Sequence, residues 1–410
     1  MTKQSHTMHR TSLLLMLLCG LCGAVDSVLA QIWQRQTNAP TAFWSSIASS
    51  ADGSKLVALA GGNGSGPIYT STNSGVTWIQ QTNAPILGWT AVASSLDGSK
   101  LVAASQAYSL GGPIYTSTDS GNTWALSGAP TDYWTCVVSS ADGTKLVAAA
   151  SKSGGRPIYL STNAGATWAV ASVPNKYWRA LTSSADGSKL AAVADATRIY
   201  TSTDSGNIWI QQTNAPTGDT DYVWKMSSSA DGTKLVAIAG GNGPGYGLIY
   251  TSTDSGNTWF QKTNAPSQSW QAIASSSDGK MLTVFEWNGP AYASTDSGET
   301  WILNSIPGKW WQSVACSADG SKMVALAFND GIYASHTTPS PQLNITASNT
   351  NLAFSWTAPS INFVMQQNID LTTSNWVTLT NTPTLNLINL NNELTISPSN
   401  SSGFFRLSTP

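Results

Sequence analysis

The chain has 410 residues, of which 41% are hydrophobic and only 10% are charged, and its formal net charge is −2. This length and composition allow a sizeable hydrophobic core and more than one domain. Nucleic-acid binding requires a basic face for the phosphates, and lysine and arginine are not concentrated anywhere along the sequence, so we predict no nucleic-acid partner.

Residues 1–30 have the features of a secretory signal peptide. Lys3 and Arg10 give a positive start, an apolar run begins at Leu13, and small residues precede a cleavage point after Ala30. The apolar run is too short to cross a bilayer, so we predict export to the cell exterior or the envelope and no membrane-spanning segment. Of the cysteines, Cys136 and Cys316 lie beyond this signal, in non-equivalent positions of a repeat, and we expect buried thiols rather than a disulfide.

A repeat of 41 to 47 residues follows the signal, marked by seven Asp-Gly dipeptides. Each repeat contains a run that opens with tryptophan, an Asp-Gly turn, a small apolar run, a glycine-rich loop, a run such as PIYTST, an octet such as STDSGNTW and a fourth run. Asp-Gly between two such runs is a strong hairpin signal, and four short strands at this period are typical of a propeller blade. The aspartates of the turns are Asp52, Asp97, Asp142, Asp186, Asp231, Asp278 and Asp319.

The two ends of the repeat array complement each other. The array starts with a fourth run at Trp33 and finishes with a third run at Tyr333, so the two ends can complete one blade and leave no free sheet edge. We therefore predict an all-β protein in which residues 31–335 form a seven-bladed β-propeller. Its composite blade contains the N-terminal outer strand and three C-terminal strands. A linker at 336–341 and a small β-sandwich at 342–410, rich in Asn, Thr and Ser, follow.

The octets have the residues of a structural turn. Asn73 and Asn163 replace the aspartate in two copies, and Ile208 replaces the threonine in another. An amide oxygen accepts the same N–H bonds as a carboxylate, but it cannot act as a base or as a strong cation ligand. The octets are thus predicted to be scaffold. The copies begin at Ser71, Ser117, Ser161, Ser202, Ser252 and Ser294.

The octets resemble the Asp-box, or BNR repeat, S-x-D-x-G-x-T-W, of sialidases, sortilin-type receptors and photosystem II assembly-factor-like propellers. The resemblance covers residues 31–335 and implies a hairpin turn between the third and fourth strands of each blade, away from the active face. The tail resembles a C-terminal module of secreted proteins of Verrucomicrobia and related bacteria, in Phe354-Ser355-Trp356, Trp376-Val377 and 403–407.

A ligand site is predicted on the opposite face, where loops vary in length and each inter-blade loop ends in tryptophan. These tryptophans could stack on sugar rings or, alternatively, wedge between blades. With Arg156, Arg179 and Glu286 they form the predicted binding set: Trp44, Trp89, Trp134, Trp178, Trp224, Trp270 and Trp311. Further polar residues of these loops are Asp132, Tyr133, Lys176, Tyr177, Asp195, Arg198, Asp219, Asp221, Lys225 and Asp330.

The sequence offers little for catalysis. Sialidases use an arginine triad and a tyrosine–glutamate pair, whereas the propeller region has only four arginines and two glutamates. His336 is the only histidine after the signal, so no Ser-His-Asp triad and no His/Cys metal cluster can form. A glycosidase carboxylate pair, for example Asp132 with Glu286, remains open. We therefore predict no catalytic residue, no metal and no cofactor.

Three functions fit these observations. The preferred one is a secreted, non-catalytic, monomeric propeller that binds a glycan or protein through the loop face. The alternatives are a glycoside hydrolase or lyase that uses loop carboxylates, and a structural protein of the envelope.

Overall fold

The computed structural model describes twelve stretches of the chain. They are residues 33–62, 64–106, 110–195, 199–216, 223–240, 247–336, 343–347, 351–357, 364–368, 375–386, 391–396 and 404–408. The predicted signal peptide therefore lies outside the described residues.

All regular elements of the repeat region are β-strands. Repeats 1 and 2, after β1 (Trp33–Arg35), contain β2 (Ser46–Ser49), β3 (Leu56–Leu59), β4 (Ile68–Ser71), β5 (Ile79–Gln80), β6 (Trp89–Ser94), β7 (Leu101–Ser105), β8 (Ile114–Ser117) and β9 (Ala125–Leu126). Repeats 3 and 4 contain β10 (Trp134–Ser139), β11 (Leu146–Ala150), β12 (Ile158–Ser161), β13 (Ala169–Val170), β14 (Trp178–Ser183), β15 (Leu190–Ala194), β16 (Tyr200–Ser202) and β17 (Ile210–Gln211). Repeats 5 to 7 contain β18 (Val223–Ser228), β19 (Leu235–Gly240), β20 (Leu248–Ser252), β21 (Phe260–Gln261), β22 (Trp270–Ser275), β23 (Leu282–Glu286), β24 (Asn288–Ser294), β25 (Ile302–Cys316), β26 (Lys322–Ala327) and β27 (Ile332–His336).

The first five repeats each fold into a four-stranded antiparallel sheet in sequence order, and repeats 6 and 7 share a seven-stranded sheet that also contains β1. We interpret each set of four consecutive paired strands as one blade. The second strand of each blade is buried along its length, as in β7 and β11, because both of its faces pack against neighbouring sheets. The composition of this second strand allows the neighbouring blades to pack closely, since residues such as Ala103 and Ala148 have small side chains. In repeats 6 and 7 the long strand β25 is the outer strand of one sheet and continues as the inner strand of the next.

A ring of backbone hydrogen bonds joins the inner strands next to the Asp-Gly turns. In each repeat one N–H donates to the carbonyl oxygen of the corresponding residue in the following repeat, at 2.6–2.7 Å, until Ala318 donates back to Ala51. The members of this ring are Ala51, Leu96, Ala141, Ala185, Ala230, Ser277 and Ala318. The inner strands therefore close into a circle, which an open array of repeats could not do.

Lysines of the Asp-Gly turns also link neighbouring repeats. Lys145 donates to the carbonyl oxygen of Asp186 at 2.9 Å, and Lys322 of the last repeat donates to that of Asp52 in the first at 3.0 Å. Within a turn, Asp97 accepts bonds from the Ser95 hydroxyl and the Ser99 N–H. Burial alone would raise the pKa of Asp97, but these bonds lower it to about 2.

The predicted composite sheet is present. Strand β1 pairs antiparallel with β27, and Trp33 lies opposite Ser335. Trp33 is buried and meets Phe285 edge to face, with ring centroids 5.4 Å apart. The strand that begins the repeat array thus completes the sheet that ends it.

The tail forms two further sheets with their own core. Its strands are β28 (Asn344–Ala347), β29 (Leu352–Thr357), β30 (Val364–Asn368), β31 (Val377–Thr378), β32 (Thr384–Asn386), β33 (Asn391–Ile396) and β34 (Phe404–Ser408). One sheet has the order β28-β29-β33-β32 and the other the order β31-β30-β34. Phe354 of the first sheet packs on Phe405 of the second, with centroids 4.7 Å apart, as in a small sandwich.

The predicted all-β propeller fold is confirmed. Among the described residues, no helix is long and apolar enough to cross a membrane. The exact boundaries of the signal, the linker and the tail domain stay predictions.

Candidate functional site

The octets are hairpin turns whose side chains bond to their own backbone. Ser117 donates to Asp119 Oδ1 at 2.8 Å and accepts the N–H of Gly121 at 2.9 Å. Asp119 Oδ1 also accepts the Thr123 N–H at 2.8 Å, and Ser120 and Gly121 both have positive φ angles, 61° and 90°. The positive φ at the fifth octet position explains the recurring glycine there.

The asparagine copies keep the same geometry. Asn73 Oδ1 accepts the Thr77 N–H at 2.9 Å, and Asn163 Oδ1 accepts the Thr167 N–H at 2.9 Å. A neutral acceptor therefore serves as well as a charged one, which is the behaviour of a structural turn. Each octet also contacts an Asp-Gly turn, since Ser120 donates to the carbonyl oxygen of Ser99 at 2.8 Å. We call the side of the molecule with these turns the turn face and the opposite side the loop face.

Substitution of Asp119 tests this interpretation. Asp119→Asn should change the free energy of unfolding by less than about 0.5 kcal/mol, because the acceptor oxygen is kept. Asp119→Ala should cost about 1 kcal/mol, because the Thr123 N–H and the Ser117 hydroxyl lose their acceptor. Urea unfolding measures both, with Asn163→Asp as the reciprocal control. Equal losses for the two Asp119 variants would show that the turn needs the charge.

The seven repeated tryptophans do not reach the surface of the loop face. Each is at most 2% exposed, and each packs between its own blade and the preceding one, as Trp89 does against Val57 and Leu59. Six of them meet the tyrosine of their own third strand edge to face, with centroids 5.2–5.9 Å apart. Trp224 instead stacks on Tyr250 at 6.4 Å. In this conformation a ligand cannot contact their rings, so the prediction that they form the binding rim requires correction. The buried set is Trp44, Trp89, Trp134, Trp178, Trp224, Trp270 and Trp311.

Other aromatic residues do reach solvent on the loop face, and we call them the aromatic sector: Phe43, Trp287, Trp310 and Phe328. Trp287 is 42% exposed and Trp310 is 52% exposed. The Phe328 ring lies 5.2 Å from that of Phe43 and 6.5 Å from that of Trp310, centroid to centroid. Trp311, next to Trp310, donates its backbone N–H to the Trp287 carbonyl oxygen at 3.1 Å. This bond places Trp287, the fourth member, next to Trp310 in the backbone.

Polar groups border the aromatic sector. Asp330 binds Lys309 Nζ at 2.9 Å and Arg35 Nε at 3.2 Å. Burial alone would raise the pKa of Asp330, but these two cations hold it below its ordinary value. Glu286 precedes Trp287, and partial burial raises the pKa of its carboxyl. The border therefore offers hydrogen-bond donors and acceptors beside exposed rings.

Repeats 3 and 4 carry four basic side chains on the loop face, and we call them the cationic sector: Lys152, Arg156, Lys176 and Arg179. Lys152 Nζ lies 3.9 Å from the centre of the Tyr133 ring, and the Arg156 guanidinium lies 5.7 Å from it. Arg156 and Lys176 exchange backbone hydrogen bonds of 2.9 and 3.2 Å. These residues are separated along the chain, so the sequence pattern of single, evenly spaced lysines concealed their proximity.

Two aspartates balance part of this charge. Asp132, which is almost fully buried, binds Arg156 Nε at 3.3 Å and accepts the Tyr159 hydroxyl at 3.2 Å. Asp195 is paired with Arg179. Of the predicted binding set, Arg156 and Arg179 thus lie in consecutive repeats and pair with different aspartates, whereas Glu286 lies beside the aromatic sector. Arg198, Asp219 and Asp221 fall outside the described residues.

The aromatic sector was missed by sequence reasoning, although a signal was present. Phe43 and Trp310 each directly precede a repeated tryptophan, and Trp287 and Phe328 each directly follow a second strand. Hydrogen bonds join these two positions in five of the repeats, as from the Phe328 N–H to the Trp310 carbonyl oxygen at 2.7 Å. Aromatic residues that occur in only some repeats, at these two hydrogen-bonded positions, therefore predict an exposed aromatic surface better than the tryptophans found in every repeat.

No carboxylate pair suited to glycoside hydrolysis is formed among the described residues of the loop face. Asp132, Asp195 and Asp330 are engaged with cations, and Glu286 lies three repeats along the ring from Asp132. The same stretches of chain contain no group of three or more His, Cys, Asp or Glu side chains that could hold a metal ion.

The chain matches no family model and no curated protein, but solved structures share its fold. YCF48 bound to a D1 peptide is 15% identical, with a TM-score of 0.56 over 76% of this chain and 97% of that one. A GH74 xyloglucanase from Xanthomonas campestris is 16% identical, with a TM-score of 0.59 over 80% of this chain and 60% of the enzyme. Hydrazine synthase of Kuenenia stuttgartiensis is 13% identical, with a TM-score of 0.55 over 74% of this chain and 97% of that one.

At these identities the likeness establishes the fold alone. The neighbours include a peptide complex, a xyloglucanase and a hydrazine synthase, so one fold supports unrelated functions. The resemblance of the octets to the Asp-box and that of the tail to a secreted module stay predictions.

Proposed function

We propose that this protein is an exported, non-catalytic propeller that binds a glycan through the aromatic sector of its loop face. The observation that carries the proposal is the pair of exposed indole rings of Trp287 and Trp310 on a rigid sheet scaffold. Flat indoles stack on the apolar faces of sugar rings, and the ionic groups of Glu286, Lys309 and Asp330 can bond to the hydroxyl groups around them.

The positions of the two tryptophans support a role in recognition. Trp287 is the single residue between β23 and β24, and Trp310 pairs with Asn288 across the extended hairpin of β24 and β25. Both side chains are therefore held by short, hydrogen-bonded backbone. Preorganised aromatic residues lose little conformational entropy on binding, which favours their use as anchors.

Binding to a panel of polysaccharides and oligosaccharides tests the proposal. The wild-type protein should bind at least one glycan saturably, and Trp287→Ala and Trp310→Ala should each weaken that binding about tenfold or more. Ile79→Ala is the matched control, because Ile79 is also an exposed apolar residue but lies on an outer strand. Absence of glycan binding in the wild type, or an equal loss with the control, would contradict the proposal.

The alternative enzymatic function is favoured by one observation, the raised pKa of Glu286 next to an exposed tryptophan. A carboxyl that is protonated more readily than usual is suited to general-acid catalysis. Mass spectrometry of the bound glycan after incubation separates the two functions. Release of shorter products that stops in Glu286→Gln would replace the binding function with a glycoside hydrolase.

A further inference from the structure

The fifth repeat differs from the others by one missing residue. Eight positions separate the repeated tryptophan from the aspartate of the Asp-Gly turn in the other repeats, whereas seven separate Trp224 from Asp231. The extra residue forms a β-bulge in five of the repeats, for example between Trp89 and Ala91. Strands β18 and β19 instead pair without a shift, so Lys225 lies opposite Ile238.

The register places Lys225 at a position that small residues otherwise occupy. Its cross-strand partner Ile238 corresponds to Ala104, which lies opposite Ala91 in the second repeat. The residues at this position in the ring of inner strands are Ser46, Ala91, Cys136, Ala180, Lys225, Ala272 and Ser313. A single long cationic side chain thus interrupts a circle of Ser, Ala and Cys.

Two serines at this position hydrogen-bond to the backbone of the next inner strand, on its side that faces the central channel. Ser46 accepts the backbone N–H of Val92 at 3.2 Å, and Ser313 accepts that of Ile47 at 3.3 Å. The inner strands have no further strand beyond that edge, so it forms the wall of the central channel. Because the other members of the circle are small, the lysine chain has space to extend along this wall.

Among the described residues, no carboxylate forms an ion pair with Lys225. In the same residues it has no hydrogen-bonded partner. The titratable groups that act on it are Arg179 on β14, whose guanidinium is itself paired with Asp195, and Cys136 on β10, whose pKa is raised by burial. Burial lowers the pKa of Lys225; Cys136 opposes this effect and Arg179 adds to it. On the following inner strand, Gln271 Oε1 is buried without a hydrogen-bond partner. Strands β18 and β22 are in contact, and a cation and a buried amide oxygen without partners are both costly unless a bound group satisfies them.

We propose that the central channel contains a binding site for one carboxylate or other small monovalent anion, held by the ammonium group of Lys225 and the side-chain amide of Gln271. Because the oxygen and nitrogen of such an amide can exchange places by rotation, Gln271 can turn its NH₂ group towards the anion. The anion would be either a free molecule or the acidic group of a sugar. The site is separate from the aromatic sector, and its existence does not depend on the proposed glycan binding.

Bromide soaks of crystals test the site directly. The anomalous signal should show a bromide ion at the Lys225 ammonium group in the wild type. Lys225→Met, which keeps the length of the side chain without its charge, should lose this ion and retain bromide elsewhere. An empty channel in the wild type, or an unchanged channel ion in the variant, would overturn the proposal.

Thermal unfolding in solution provides a second readout. Without added acetate, Lys225→Met should melt higher than the wild type, because an unpaired charge has been removed. Acetate, compared with perchlorate at equal ionic strength, should raise the Tm of the wild type by about 3 °C and leave that of Lys225→Met unchanged. Lys280→Met, which removes an exposed lysine of the turn face, is the control and should respond to acetate like the wild type. Equal responses of all three proteins would refute the site.

A third arm distinguishes the two sources of the anion. Trimeric galacturonic acid should stabilise the wild type more than acetate at equal carboxylate concentration if the anion belongs to a sugar. Equal stabilisation would assign the site to a free anion. Failure of Trp310→Ala to alter glycan binding would leave both of these channel results intact, so the two proposals can fail separately.

Discussion

Replacement of Trp134 by alanine should lower the free energy of unfolding by about 3–5 kcal/mol, the range for a large aromatic residue removed from a packed core. Trp134 is fully buried, its Nε1 donates to the Gly112 carbonyl oxygen at 2.7 Å, and its ring meets Tyr159 at 5.2 Å between centroids. The variant would lose the contacts between two blades and leave a buried carbonyl oxygen without this donor. Chemical denaturation measured by tryptophan fluorescence and circular dichroism reports the change.

Trp310→Ala is the matched control for this prediction. Trp310 is the tryptophan that directly precedes a repeated one, but its side chain is half exposed, and we expect a loss below about 1 kcal/mol. The pair of variants separates the two interpretations of the loop tryptophans. If Trp134→Ala were as stable as Trp310→Ala, the repeated tryptophans would not hold the blades together.

Disruption of β1 should have an effect of similar size. Replacement of Trp33, Gln34 and Arg35 by Gly-Ser-Gly removes a buried aromatic residue, a strand ladder and the ion pair between Arg35 and Asp330. We expect a loss of about 4 kcal/mol or more, of which the buried tryptophan accounts for most. The replacement also leaves β27 as a free edge, so the variant should aggregate during refolding.

The outer strand β13 provides the control for this replacement. Ala169 and Val170 also form a short strand at the periphery, but both side chains are exposed and the strand does not join the two ends of the array. Their replacement by Gly-Ser should cost less than about 1.5 kcal/mol and leave the protein monomeric. Unfolding curves and light scattering compare the two variants. Equal losses would show that β1 is an ordinary outer strand with no special part in closing the ring.

Under the proposed function, the two sectors of the loop face would contact different parts of one acidic or neutral glycan. The aromatic sector offers stacking, and the cationic sector offers charge, with Asp132 and Asp195 reducing its net value. Both sectors arise from loops that depart from the repeat consensus. The turns and the contacts between blades thus recur from repeat to repeat, whereas the residues of the loops vary and can form a binding surface.

The sequence by itself determined the repeat, the four strands of each unit and the nature of the octets. These features depend on short-range chemistry: Asp-Gly fits a tight turn, and the substitution of Asn73 for aspartate shows that only an acceptor oxygen is needed. The pairing of β1 with β27 also followed from sequence, because an outer strand at one end of the array required a sheet at the other.

Only the tertiary structure decided which loop side chains are exposed. A tryptophan at the end of a loop looks the same in sequence whether it faces solvent, as Trp310 does, or a neighbouring blade, as Trp311 does. The outcome depends on the direction of the side chain from a bulged strand and on residues of the preceding blade, such as Phe285, which lies far from Trp311 in sequence and packs on its ring. For the same reason the placement of Lys225 on the channel wall became visible only when the register of β18 and β19 was known. Exposure and proximity are properties of packed surfaces, and a local pattern does not contain them.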